Sequence, residues 1–205
     1  EEAAEDMFML AGAAEDLLSS SILKNASTRM FWLMVCWLGG VANSVMIRNF
    51  ESTLAQVVGL AAFMPIVLGM GGNVGSQSVT MVVRGIATGL IDNLKFYSLL
   101  LKQIGVGALL GGVFGAMLSV VVYFLYHGSL HMCLVVGLSI FNSMTLASLV
   151  GTLMPVFFYK IGRDPAVASG PLMSTFMDMI GVVAYFGVAL VLLFGMFGWK
   201  VASMY

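Results

Sequence analysis

Charge is what this 205-residue chain has least of: 9% of its residues are Asp, Glu, Lys or Arg, 60% are hydrophobic, and the mean hydropathy is +1.01. A soluble globule of this size needs more polar side chains than that to cover its surface. A water-exposed fold is therefore excluded, and an integral membrane protein remains. The little charge present is balanced, with nine Lys and Arg against ten Asp and Glu. Nothing supplies the basic face that a nucleic-acid partner needs. Cysteine is scarce too: Cys36 and Cys133 both lie in apolar runs and read as small hydrophobes, not as a disulfide or metal pair. The two histidines, His127 and His131, fall in one loop spaced HGSLH. No Ser, Cys and His arrangement therefore lies within an apolar span, which argues against an intramembrane enzyme. The opening EEAAED lacks the basic n-region of a signal peptide, and the chain reads as part of something longer.

What the chain does have is apolar length. Stretches near or above the roughly 20 residues that cross a bilayer occur at 30–47, 53–83, 96–126, 132–159 and 171–197. This predicts an all-α membrane protein with five transmembrane helices. With the N-terminus cytoplasmic, Lys24, Arg29, Arg84, Lys95, Lys102, Lys160 and Arg163 fall at cytoplasmic ends, and only Arg48 and Lys200 fall outside. The positive-inside rule then sets the N-terminus in and the C-terminus out. Residues 1–22, in which EEAAED and AGAAED repeat an acidic pattern, read as an acidic amphipathic cytoplasmic helix, and 23–205 as the five-helix transmembrane domain. Glu5, Asp6 and the loop residue Asp164 are candidate cytoplasmic metal-ion sites, with a plainly solvated helix as the alternative for 1–22. In the third span Gly107, Gly111 and Gly115 recur every four residues. That spacing predicts close helix packing and no direct functional role.

One acidic residue lies inside a span. Asp178 is seven residues past Pro171, roughly 10 Å along a helix at 1.5 Å per residue. A carboxylate at that depth costs a few kcal/mol or more, and such groups usually face a bundle interior or a wet cavity and mark an ion path. Ser174, Gly181 and Tyr185 share its helix face, with Thr175 close by.

The second span carries LGMGGNVGSQSVTMVVRG at 68–85. At 53–83 it would be about 46 Å long if wholly helical, against a hydrocarbon core of about 30 Å. The expectation is that it tilts or breaks, with Pro65 and GMGGNVG as the interruption. In that reading the glycines let the chain approach an ion's hydration shell, and Asn73, Ser76 and Gln77 supply hydrogen-bonding groups. The alternative is a glycine-rich packing notch.

One carboxylate per chain cannot cage a dication. Two chains about a two-fold axis would bring two Asp178 side chains to one point. Sodium or potassium would leave that charge unneutralised, and zinc or copper would recruit Cys or His. Mg²⁺ fits, because it keeps its waters and can be held through them.

At these residues the sequence resembles the membrane domain of the MgtE family of magnesium channels. The motifs that carry the likeness are EEAAED, PIVLGMGGNVGSQSVTMVVRG, KQIGVGALLGG and GRDPAVASGPLMSTFMDMIG. The resemblance implies a homodimer of five-helix protomers in the cell membrane, with the pore at the dimer interface lined by the second and fifth helices. It implies that Asp178 matches the pore carboxylate, Gly72 a pore glycine, and Ser174 a position whose backbone faces the ion. Gly69, Asn73, Ser76, Gln77, Gly170 and Gly181 complete the candidate pore lining. Ser76 stands where members often carry Asn, and Gly170 where some carry Asn before the proline. Both departures bear on outer-sphere hydrogen bonding and so on the stringency of Mg²⁺ selection. Residues 1–18 resemble a plug helix that in full-length members follows cytoplasmic magnesium-sensing domains. Alternatives to a Mg²⁺-selective channel are a Mg²⁺ carrier coupled to Na⁺ or H⁺, a broader divalent-cation transporter, and a structural subunit in which Asp178 only joins helices.

Overall fold

The computed structural model describes residues 22–50, 59–91, 93–162, 164–165 and 170–196. Residues 1–21, with the candidate sites Glu5 and Asp6, lie outside that set. Among the described residues five α-helices follow in order: α1 Ile22–Arg48, α2 Gly59–Ala87, α3 Asn93–Leu125, α4 Leu130–Lys160 and α5 Pro171–Leu190, the last continuing as a π-helical turn over Val191–Met196. Four of the described segments, Gly59–Ala87, Phe96–Leu125, Leu130–Lys160 and Met173–Leu193, are long and apolar enough to cross a bilayer. In α1 the apolar stretch is shorter, Leu33–Arg48.

The expected break at GMGGNVG does not occur, for α2 is helical without interruption across it, with Pro65 inside. The physical reason is that lipid offers no substitute for a lost backbone hydrogen bond. Each glycine costs only about 1 kcal/mol of helix propensity, which is less than an unsatisfied amide. At 29 residues the helix is about 43 Å long. Tilt is the remaining way to fit a thinner core.

Gly71 and Gly75 serve packing instead. A Cβ at Gly71 would meet the Ser143 hydroxyl at 2.5 Å, and one at Gly75 would meet the Met177 sulfur at 2.7 Å. Gly151 of α4 sits directly on the Gly75 carbonyl. The α3–α4 hairpin is built the same way, as the four-residue glycine spacing predicts. Cβ atoms at Gly111 and Gly115 would stand 2.9 Å from the Phe141 backbone and 2.6 Å from the Gly137 carbonyl. A tight turn, with Gly128 at φ 83° and His127 at φ 50°, reverses the chain between the two helices.

α4 is the centre of the bundle, touching α2, α3 and α5. Its buried hydroxyls bond outward to neighbouring helices. Ser148 donates to the Gln103 carbonyl (2.6 Å), Ser143 to that of Val67 (3.4 Å) and Ser139 to that of Tyr185 (3.5 Å). Tyr185 in turn donates to the Leu60 carbonyl at 2.6 Å, tying α5 to the start of α2. Because lipid is as apolar as leucine, helices in a bilayer are held by such packing and bonds and not by hydrophobic expulsion. α1 lies on the outside and packs on α5, where Gly39 accepts the Thr175 side chain and Phe50 stacks on Phe186 at 4.5 Å.

Candidate functional site

Two contacts set the register of α2 on α5. Leu68 packs against Gly181, and Gly75 against Met177. The residue numbers rise on one helix as they fall on the other, so the helices are antiparallel. Gly72 lies between the two α2 anchors and Asp178 between the two α5 anchors, so the pair is level. One turn toward the start of α5 stands Ser174.

Met177 and Gly181 are buried in the helix seam, and Asp178 and Ser174 are rotated out of it and exposed. On α2 the matching flank carries Gly69, Gly72 and Ser76. Nothing lies within 4 Å of a Cβ placed at Gly69 or Gly72, so the helix surface beside their carbonyls is open. Each retains a second lone pair beyond its helical bond. No hydrogen bond or ion pair joins Asp178 to another described residue. The result is a wall of bare backbone and hydroxyls beside one unpaired carboxylate.

The remaining candidates fall elsewhere. Asn73 and Gln77 turn toward α3, where with Met70, Leu110 and Phe114 they line an open recess of about 440 Å³. Ser76 borders both faces, since it also touches that recess. Gly181 is buried against Leu68, inside the seam. Gly170 caps α5 just before Pro171, its carbonyl accepting from the Met173 amide at 3.0 Å. Asp164 is exposed in the connection between α4 and α5, away from the Asp178 level.

Among the described residues no three His, Cys, Asp or Glu side chains come together. The described residues of one copy therefore form no inner-sphere cage of such side chains. What they offer is one full charge with neutral acceptors around it. A cation that keeps its own waters suits that arrangement, since each water donates two hydrogen bonds outward.

The sequence pattern does not single out Asn43, a carboxamide five residues before the end of α1, whose Oδ1 is buried without a hydrogen-bond partner among the described residues. A weak signal was present, because a polar residue inside an apolar helix marks a candidate site by default. Its orientation was not legible.

Residues 64–188, more than half of the chain, match the model of the MgtE family, described as a divalent cation transporter. The chain belongs to the MgtE family. It is 38% identical over 165 residues to the magnesium transporter MgtE of Thermus thermophilus, covering 80% of this chain and 36% of that protein. Against the magnesium transporters MgtE of Enterococcus faecalis and Bacillus subtilis it is 35% and 32% identical over 189 residues, or 92% of this chain and 42% of each relative. The chain thus spans about two-fifths of the length of these MgtE relatives. As a member of a transporter family with several long apolar helices, it is a multi-pass membrane protein and not an enzyme.

Proposed function

We propose that this chain is the pore-forming membrane part of a Mg²⁺ channel, conducting through a homodimer whose two-fold axis runs along the Asp178 flank. The observation that carries the reading is the exposure of Asp178 level with Gly72. Left facing lipid, a mid-span carboxylate costs about 3 kcal/mol or more. A second copy across that flank would remove the carboxylate from lipid and set a second one opposite it. Two like charges so close are stabilised by a cation between them. Mg²⁺ dehydrates reluctantly, so the waters it keeps can bond the carboxylates, Ser174, Ser76 and the carbonyls at Gly69 and Gly72. The names of the relatives, all magnesium transporters, support the choice of ion.

In this reading all five helices cross the cell membrane, with the N-terminus cytoplasmic and the C-terminus outside. Gly170 lies at the cytoplasmic mouth, and Asn73 and Gln77, which face the recess beside α3, stay outside the ion path. Residues 1–22 act as a plug-like helix, and the additional length of the relatives leaves room for cytoplasmic sensor domains. The test is Mg²⁺ uptake into proteoliposomes holding the purified chain. Uptake far above the leak of protein-free vesicles, at rates beyond a carrier's turnover, is expected. Uptake equal to leak would sink the proposal, and saturation at carrier-like rates would replace the channel with a coupled carrier.

A further inference from the structure

α1 and α5 are held in register by Gly39 on Thr175 and by Phe50 on Phe186. Both pairs have the same offset in residue number, so the helices run parallel and the residue level with Asp178 is Ala42. Asn43 is the next residue along.

The side of the seam on which Asn43 falls follows from helix rotation of about 100° per residue. Between α1, α4 and α5 lies an apolar cavity of about 770 Å³, lined in part by Met46 of α1 and by Phe176, Met179 and Ile180 of α5. Those α5 residues are rotated from Thr175, which faces α1, in one sense. Asp178 is rotated about 60° in the other. Asn43, three residues before Met46, is likewise turned about 60° away from the cavity side. It therefore points into the α1–α5 seam on the flank that carries Asp178. The Asn43 Oδ1 is buried and has no donor among the described residues.

We infer that Asn43 is a positioning residue of the ion path, whose Oδ1 holds a cation-bound water against the Asp178 carboxylate. This rests on the reading of Asp178 as the pore carboxylate. The chemistry selects the partner. An ionised carboxylate and an amide oxygen are both acceptors and cannot bond each other. A water can donate one proton to each and keep its oxygen lone pair for the cation. A buried acceptor that lacks a donor carries an unmet cost, and this water meets it. The residue would thus favour a cation that arrives with its hydration shell over one that sheds it.

The test measures Mg²⁺ uptake into proteoliposomes as a function of Mg²⁺ concentration for wild type, Asn43→Ala, Asn43→Ser and Asp178→Asn, at matched protein levels. Asn43→Ala should raise the half-saturating Mg²⁺ concentration about tenfold, the scale of one hydrogen bond to a polarised water. Asn43→Ser, which keeps an acceptor oxygen, should recover most of that loss. A purely structural role would lower maximal uptake in both variants and leave half-saturation alone, and that result overturns the inference. Half-saturation unchanged in Asn43→Ala, with uptake abolished in Asp178→Asn, also overturns it and leaves the pore reading standing. Wild-type uptake in Asp178→Asn removes the pore reading, and the inference falls with it.

Discussion

Gly75 of α2 lies bare against the thioether of Met177 on α5, a Cβ there meeting the sulfur at 2.7 Å. That contact turns Asp178, the next residue, out of the seam. Three residues before Gly75, Gly72 faces open space. The two glycines of one motif therefore have different duties.

Substitution separates them. Gly75→Val should force α5 away from α2, with an overpacking cost of about 1–3 kcal/mol visible as a lower unfolding temperature in detergent. Gly72→Val should fold as well as wild type and reduce Mg²⁺ uptake by narrowing the path. Equal stability losses in both variants would mean that Gly72 is a packing residue too.

Much of this arrangement was legible in the residues, and the boundary has physical causes. Apolar length revealed the helices, and the four-residue spacing of Gly107, Gly111 and Gly115 revealed a packing face. Asp178 stood out because carboxylates are rare in lipid. Continuity of α2 was misjudged because glycine and proline punctuate helices in water, where the freed amides find solvent. Asn73 and Gly72 were grouped as neighbours, yet one residue is about 100° of helix rotation, and they face different partners. Which flank Asn43 occupies depends on the register between α1 and α5, and register is set by pairs such as Gly39 and Thr175 that lie far apart in the chain.

If the Asp178 flank lies on a two-fold axis, Ser174 from two copies should come near its own image. In a background with Cys36→Ala and Cys133→Ala, Ser174→Cys should form a disulfide-linked dimer in membranes under mild oxidation. Cysteine at Leu109, on the exposed outer side of α3, should not. Cross-linking at Leu109 and none at Ser174 would move the interface.

Five crossings with the N-terminus inside place the α3–α4 turn outside. Single cysteines at Ser129 and Asn93 in the same background should label with an impermeant maleimide from opposite sides, Ser129 from outside. Labelling of both from one side would contradict the five-span topology.

The Tyr185 hydroxyl is a structural group here, bonded to the Leu60 carbonyl at 2.6 Å. Interhelical hydrogen bonds in membrane proteins average about 0.6 kcal/mol and reach about 1.7. Tyr185→Phe should lower thermal stability in detergent by an amount in that range and leave half-saturating Mg²⁺ unchanged. A shift in half-saturation would place Tyr185 in the ion path.

The central claim is that Asp178 supplies the charge that holds the ion, and charge can be removed there without changing shape. Asp178→Asn keeps the side-chain volume and can still hydrogen-bond, while both negative charges of the proposed two-fold site are lost together. A dication held through its waters then has only dipoles to bind, and a loss of a few kcal/mol lowers occupancy by orders of magnitude. Asp178→Glu keeps the charge but crowds the axis, so reduced uptake with some Mg²⁺ binding is expected. The decisive measurement is the initial rate of Mg²⁺ uptake into proteoliposomes by Asp178→Asn at matched protein level. A rate indistinguishable from protein-free vesicles is the predicted result, and a wild-type rate would contradict the account.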